Sequence, residues 1–254
     1  MKPKQRRDGI ARLIERSGQL GVEDLAAAFQ VSAETIRRDL AAMARDGAIQ
    51  KIHGGARPRG RLFVEDTFQA RMQESPEAKD LIARKLRAEV REGDTVMIDT
   101  GSTTLIAARV LAKVKHLKVI TNSLYVAEAF GRESPVSGTQ VFLLGGRYAG
   151  GNHQTVGPDA IAQLDFYRAD HAIATVAALS AEEGATNSDV EEAHLARAMI
   201  ARAGNVIVLA DSAKFGRRAA FRVCGFDRID LLISDRPPEG ALAYALETAG
   251  VRVS

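Results

Sequence analysis

Hydrophobic positions follow two different rhythms along the chain. Up to residue 47 they recur every three or four places. Ile10, Leu13 and Ile14 share one face of a helix over 4–17, and Val22, Leu25 and Phe29 line a second over 22–29. Ile36, Leu40 and Met43 form the apolar stripe of a third helix that begins after Ser32. From Gly93 onward the pattern becomes one of short apolar runs: Thr95–Asp99, Leu117–Thr121, Val141–Leu144, His171–Val176, Val206–Ala210 and Leu231–Ser234. Helical stretches such as Leu105–Leu111, Leu124–Phe130 and Glu191–Ala203 lie between them. This alternation predicts a parallel α/β sheet with helices on both faces. Residues 57–80 carry neither rhythm; Arg57-Pro-Arg-Gly-Arg61 has no periodicity, and Pro76 precedes a helix over Ala78–Val90. The expected organisation is a small helical domain over 1–57, a linker over 58–78 and an α/β domain over 79–254.

Local signals sharpen the third helix. The Ser32 hydroxyl suits an N-cap, Glu34 sits in the first turn where the helix dipole favours a negative charge, and Gly47 suits a stop. A short strand over Ala48–Ile52 and a turn at His53-Gly54-Gly55 would follow, giving the winged form of the helix-turn-helix. Ala33, Thr35, Arg37 and Arg38 lie off the apolar stripe and face outward. A helix presenting arginines from a small rigid support is what major-groove reading requires. The candidate DNA-contacting set is Ser32, Thr35, Arg37, Arg38, Lys51 and His53, with the basic tail Lys2–Arg7 gripping the backbone. An isolated Arg-Arg pair would more often solvate a helix and pair with Asp39 or Glu34. The register of two preceding helices and a wing favours the DNA reading here. His53 equally suits stabilising the wing turn.

Charge adds to this picture. Residues 1–61 hold 13 Lys+Arg against 7 Asp+Glu, a net +6, whereas the remainder holds 22 against 25, a net −3. A basic head on a mildly acidic body suits a polyanionic partner. One cysteine among 254 residues excludes an internal disulfide and a cysteine-based zinc site within the chain, and the five histidines show no metal-ligand spacing. No apolar run approaches the roughly 18–20 residues of a membrane span, and the basic N-terminus lacks a following apolar segment. A cytoplasmic protein without a metal or organic cofactor is expected.

In open α/β sheets ligands bind beyond the carboxyl ends of the strands. Asp99-Thr100-Gly101-Ser102-Thr103-Thr104 falls where the first strand should turn into a helix. A glycine there permits close approach, and the hydroxyls and helix-start amides suit a phosphate. Thr121, Asn122 and Ser123 follow the next strand, Gly145 and Gly146 the one after, and Asp211 and Lys214 a later one. Lys214 is the natural cationic partner of an anion; Asp99 or Asp211 can accept from sugar hydroxyls. Each piece alone reads as an ordinary turn, cap or solvent-facing lysine. Their placement at successive strand ends is what points to a site. No G-x-x-x-x-G-K-[ST] occurs, so a P-loop is unsupported.

The run Ser32–Leu40, the Gly47 stop and His53-Gly54-Gly55-Ala56 resemble the N-terminal signature of the DeoR family of bacterial repressors. Gly93-Asp94, Asp99–Thr104, Val119-Ile-Thr-Asn-Ser123, Leu144-Gly-Gly146, Val156-Gly157 and Asp211–Gly216 are similar, in order, to that family's sensor-domain landmarks. The first helices and Lys214–Arg217 look most like its glycerol-3-phosphate repressor branch. The resemblance implies a DNA-binding repressor, acting as a homo-oligomer (dimer or tetramer) on a double-stranded operator. It further implies release by a phosphorylated sugar or polyol, and a Rossmann-like sensor domain resembling ribose-5-phosphate isomerase. It adds Gly157 to the effector set. Many family members carry a glycine-containing segment where this chain has Val176-Ala-Ala-Leu-Ser180, which bears on the choice of effector. Release requires unequal effector affinity for the DNA-competent and DNA-released states. The relative position of two heads is the natural lever, transmitted through residues 57–80. The competing reading is a sugar-phosphate isomerase or deaminase with a DNA-binding appendage, using Asp211 and Lys214 with Asp99 or Asp189 as acid–base partner. A protein-binding module is a third, which would lack salt-dependent DNA binding. On the preferred reading no residue is catalytic.

Overall fold

The computed structural model describes residues 3–17, 20–46, 48–52, 54–58, 62–63 and 65–254. The chain forms two compact units, Met1–Phe63 and Val64–Ser254.

In the first unit, α1 (Pro3–Ser17), α2 (Val22–Phe29) and α3 (Ala33–Arg45) bring their stripes together. Ile10, Ile14, Val22, Leu25, Ile36, Leu40 and Met43 are buried in one cluster. Asp39 lies on the inner side of α3 and takes Arg6 Nε at 2.6 Å, with Arg7 Nε at 3.9 Å, tying α1 to α3. Ser32 caps α3, accepting from the Thr35 amide at 3.2 Å. The helix ends at Arg45 with Asp46 as C-cap; Gly47, read as its stop, lies outside the described residues. The wing has three strands in the order β1-β3-β2: β1 (Leu20–Gly21), β2 (Ile49–Ile52) and β3 (Gly55–Pro58). The two-residue β1 was too short to show any alternation. It pairs Leu20 with Ala56 and Gly21 with Gly55. A Cβ on Gly55 would be driven into the Leu20 carbonyl oxygen, whereas Gly54, at φ 79°, has open space around it.

The second unit starts with two helices, α4 (Phe68–Gln73) and α5 (Pro76–Arg87), where the sequence reads as a connector and then a helix from Ala78. Thr67 caps α4, and Pro76 occupies the first turn of α5, where its missing N–H costs nothing. Then come β4 (Thr95–Ile98), α6 (Ser102–Leu111), β5 (Lys118–Thr121), α7 (Leu124–Ser137) and β6 (Gln140–Leu143). A hairpin of β7 (Arg147–Ala149) and β8 (Gln154–Val156) leads to α8 (Pro158–Gln163) and β9 (Ala169–Thr175). After β10 (Ala178–Ser180), β11 (Gly184–Asn187) and α9 (Val190–Ile200) come β12 (Ala203–Leu209), β13 (Phe221–Cys224), β14 (Leu231–Ile233), α10 (Gly240–Thr248) and β15 (Arg252–Val253).

The main sheet is seven-stranded, in the order β15-β14-β12-β9-β4-β5-β6. Every neighbouring pair in it is parallel. All six strand segments read from the sequence are in it; β15 is the seventh. Alternate residues divide between the faces. Val96, Ile98, Val119, Ile207 and Leu209 pack with α5, α6 and α7 residues such as Ile82, Leu86, Leu111 and Phe130. Met97 and Ile120 pack instead on Leu195 and Met199 of α9 and Ala160 of α8, while Val206, Val208 and Leu232 join α10 and the small antiparallel sheet β10-β11-β13. Chain order runs outward in one direction from β4 and in the other from β9. The topological switch point therefore lies between β4 and β9, where doubly wound sheets form a ligand crevice.

Among the described residues no helix is long and apolar enough to cross a membrane. Cys224 is buried at the end of β13, and burial, reinforced by the Asp227 charge, pushes its thiol up to about 11.

The wing supplies a stability prediction. Gly55→Ala is expected to cost about 1–3 kcal/mol through overpacking against β1. Gly54→Asn, which asparagine's tolerance of left-handed backbone accommodates, should cost less than about 1 kcal/mol. Urea denaturation of both variants checks this ordering.

Candidate functional sites

The outer face of α3 is built by its inner one. With Ile36, Asp39, Leu40 and Met43 turned inward, Arg37 and Arg38 are exposed, Thr35 is half-buried and Ser32 is exposed. Arg37 lies 3.7 Å from Glu23 and 3.9 Å from Glu34, pairs so exposed that they hold it weakly. Arg38 has no hydrogen bond or ion pair among the described residues. Asp39, a partner that sequence reasoning offered these arginines, is engaged by α1 instead. Thr35 Oγ1 and Ser32 Oγ lie 2.9 Å apart at the helix start. Lys51 is exposed on β2, and His53 lies outside the described residues.

In the second unit the strand ends converge as the spacing required. Asp99 leaves β4 buried, with Oδ2 accepting the Thr175 amide of β9 at 2.9 Å. Gly101 follows. A Cβ there would collide with Thr175 Oγ1 and reach Thr104 Oγ1 at 3.1 Å, so glycine is what lets the two strand ends lie together. Ser102, Thr103 and Thr104 form the buried first turn of α6, which has no side-chain cap. Thr104 Oγ1 donates to the Gly101 carbonyl at 3.0 Å. Thr100 Oγ1 is buried and has no partner among the described residues.

The next strand end has mixed roles. Thr121 Oγ1 accepts the Ser123 amide at 3.0 Å, and Ser123 Oγ caps α7 by accepting from the Val126 amide at 3.3 Å. Both are thus occupied with turn and cap duties. Asn122 Nδ2 donates to Gln154 Oε1 at 3.0 Å and to the Thr155 carbonyl at 3.1 Å, and its buried Oδ1 has no partner. Gly145 and Gly146 are exposed at the β6 exit. The Gly145 amide donates to Gln163 at 3.0 Å; Gly146, at φ 131°, lies so close that a Cβ would sit 2.8 Å from the Val156 carbonyl. Gly157, at φ 97°, begins α8. These glycines have conformational and packing reasons of their own. Asp211 is buried and accepts the Ala213 amide at 3.0 Å, starting the turn that carries Lys214.

Around Lys214 the structure assembles charges that no periodicity announced. Glu65, near the start of the unit, is 3.2 Å from Lys214 Nζ and 3.2 Å from an Arg71 guanidinium nitrogen, all three side chains being largely buried. Lys214 also donates to the Val176 carbonyl, within the segment where the chain departs from the resemblance. Arg71 donates to Asn152 at 2.9 Å, and Asn152 to Glu192 at 2.5 Å. Gln154 donates to the same Glu192 oxygen at 2.6 Å and accepts from Asn122. One polar chain thus runs from Glu65 to Asn122. Lys79, buried in α5, donates to the Arg71 carbonyl and, at 2.7 Å, to that of Glu74, holding the C-terminal end of α4. Phe68 stacks on Tyr125 at 5.3 Å and lies under the Arg71 guanidinium.

Burial pushes the Asp99 carboxyl well above the usual range; the Thr175 amide opposes this and the Glu192 charge adds to it. Glu192 is raised by burial and by Glu65. Glu65 is also pushed up by burial, but Lys214 and Arg71 more than offset it and hold it below the usual range. Burial lowers Lys79.

A three-helix head with a wing and an exposed arginine pair, joined to a doubly wound sheet with a polar switch-point crevice, defines a DNA-binding regulator with a small-molecule sensor. The DeoR-like helix-turn-helix domain matches residues 6–59, and the DeoR C terminal sensor domain matches residues 74–236. The chain belongs to the DeoR family. The HTH-type transcriptional repressor CsqR of Escherichia coli K12 is 30% identical over 98% of this chain and 94% of its own. The glycerol-3-phosphate regulon repressor of the same strain is 29% identical over 97% and 96%. Such relatives are transcriptional repressors and regulators, which makes this chain a regulator rather than an enzyme. Among solved structures, the tetrameric eIF2B-beta2-delta2 complex from C. thermophilum matches with a TM-score of 0.50 at 13% identity, over 96% of this chain and 71% of that one. A D-ribose-5-phosphate isomerase in complex with phospho-erythronic acid matches at 0.41 with 16% identity over 55% of this chain; the match spans 54% of the isomerase. These are likenesses of fold.

The raised carboxyl of Asp99 gives a pH prediction. A carboxyl whose folded pKa exceeds its unfolded one binds more protons in the folded state, so stability falls as pH rises between the two values. Asp99→Asn keeps an acceptor for the Thr175 amide and removes that fall. The variant's gain in melting temperature over the wild type is expected to be larger at pH 8 than at pH 5.

Proposed function

We propose that this protein represses a carbohydrate or polyol catabolic operon and is released from its operator by a phosphorylated sugar or polyol. That effector is held at the carboxyl ends of β4, β5, β9 and β12. The observation that carries the effector site is the pair of buried, unpartnered oxygens, Thr100 Oγ1 and Asn122 Oδ1, just beyond the ends of the adjacent strands β4 and β5. Buried polar atoms are normally satisfied, and two left over in one crevice favour a polar ligand. The first turn of α6 offers amides and hydroxyls for a phosphate, and Arg71 and Lys214 offer positive charge. Asp99 and Asp211 suit sugar or polyol hydroxyls. Family membership and the glycerol-3-phosphate regulon repressor's name support the ligand class.

On the DNA side, Arg37 and Arg38 read or grip the major groove from α3, Thr35 and Ser32 approach a phosphate at its start, and Lys51 with His53 contacts the backbone from the wing. The protein works as a homo-oligomer, because two heads at fixed spacing match a palindromic operator.

The test is a thermal-shift screen of the full chain against phosphorylated sugars and polyols, each beside its unphosphorylated parent. A ligand of the native state raises the melting temperature. One phosphate active and its parent silent supports the reading; a hit that leaves affinity for in vitro-selected operator DNA unchanged sinks the release mechanism. Thr100→Val, which removes a hydroxyl without a protein partner, should leave stability nearly unchanged and weaken effector binding by about 0.5–1.5 kcal/mol. Arg38→Ala should weaken operator binding by about 1–3 kcal/mol if it makes a bidentate base contact, with effector binding intact. Fluorescence anisotropy across a salt series reads both the loss and the phosphate-contact slope.

A further inference from the structure

The effector crevice already contains an anion, and it belongs to the chain itself. Glu65 bridges Arg71 and Lys214 at 3.2 Å each. It comes from the segment that joins the head to the sensor, in the second position of the Val64–Ser254 unit. We propose that the Glu65 carboxylate is a built-in competitor of the effector: the ligand's phosphate takes over Arg71 and Lys214, and Glu65, with the chain before α4, is expelled. This inference rests on the effector site proposed above and adds the group that the ligand must displace.

The charges at Arg71 and Lys214 support displacement over co-occupancy. Glu65 is the carboxyl that Lys214 and Arg71 hold below its usual range, so it carries its charge, and it lies 3.2 Å from a nitrogen of each. A phosphate brought to Arg71 and Lys214 with Glu65 in place would set two anions against the same pair of cations, in a medium that screens little. Removing Glu65 leaves two converging cations that must find another partner, since a buried unpaired charge is costly. The geometry suits a phosphate better than the carboxylate it replaces. Arg71 Nε is buried without a partner while Glu65 is in place, and a phosphate brings three terminal oxygens where the carboxylate brings two. Arg71 is itself fixed independently of Glu65. Asn152 takes one guanidinium nitrogen, Phe68 lies beneath, and Lys79 holds the end of the helix that carries it. The cation is therefore a permanent fixture and the carboxylate the movable part. Its release untethers the residues that lead to the DNA-binding head, which gives effector occupancy a direct covalent route to operator affinity.

The test uses full-length protein and inorganic phosphate as probe, followed by calorimetry. If Glu65 fills the site about nine-tenths of the time, the wild type binds phosphate about tenfold more weakly than a protein without the competitor. Glu65→Gln is therefore expected to bind phosphate about tenfold more tightly than the wild type, to gain more in melting temperature from it, and to bind selected operator DNA more weakly without ligand. Arg71→Ala added to Glu65→Gln should abolish the gain. Equal phosphate affinity in Glu65→Gln and wild type overturns the competitor role; if a phosphorylated compound from the thermal screen still binds both equally, the effector site stands without it. If neither protein binds phosphate or any phosphorylated compound, both readings fall. Should Glu65→Gln not fold, hydrogen exchange on the wild type decides. Phosphate should speed exchange of the amides from Glu65 to Arg71, and unchanged or slower exchange overturns the proposal.

Discussion

Where β4 and β9 part company, the Asp99 carboxyl accepts the amide of Thr175, and Gly101 lets the two strand ends close on each other. The rest of the sensor hangs on that clasp. It lies where chain order reverses, so α6 and α7, which follow β4 and β5, cover one face while α9 and α10, which lie in the chain between β9 and β15, cover the other. A crevice opens between them for reasons of topology alone. The clasp also fixes the start of α6, whose buried first turn of Ser102, Thr103 and Thr104 has no side-chain cap. A bulkier residue at 101 would separate the strand ends and misdirect the helix together.

The crevice is unusually charged for a buried place. Lys79, Arg71, Glu65, Glu192 and Asp99 all lose most of their hydration, and the structure meets that cost by connecting them: lysine to helix carbonyls, arginine to asparagine, asparagine and glutamine to glutamate. The chain from Glu65 through Arg71, Asn152, Glu192 and Gln154 to Asn122 holds its shape only while each member has its partner. A change at any one residue is thus felt at the others, a property suited to the proposed coupling of ligand and operator binding.

Most of the framework was legible in the chain because it rests on long periodic segments. The six strands, the three head helices and the Ser32 cap all follow from spacing and one hydroxyl. Residues 65–79 did not yield, since α4 is only six residues long and no 3.6-residue period can declare itself in that span. The charges at Glu65 and Arg71 looked like ordinary connector polarity, and only tertiary contact with a lysine 149 residues beyond Glu65 gives them meaning. One signal was available: Lys79 shares the stripe of Ile82, Ala83 and Leu86, and a lysine on the buried face of a helix asks for an explanation. The strand-end motif was found where expected, but its members divide. Thr100 and Asn122 keep unused oxygens, whereas Thr121, Ser123 and Gly146 serve the backbone, a distinction that composition cannot express.

The lone thiol has a practical consequence. With Cys224 buried and its pKa near 11, only roughly one molecule in ten thousand carries a thiolate there at neutral pH. Maleimides and spin labels are expected to react with the native protein's cysteine only slowly. A single cysteine introduced on the wing or on α4 would be the readily reactive handle in each copy. On the proposed homo-oligomer, two such labels would report the separation of the heads against little reaction at the buried native thiol.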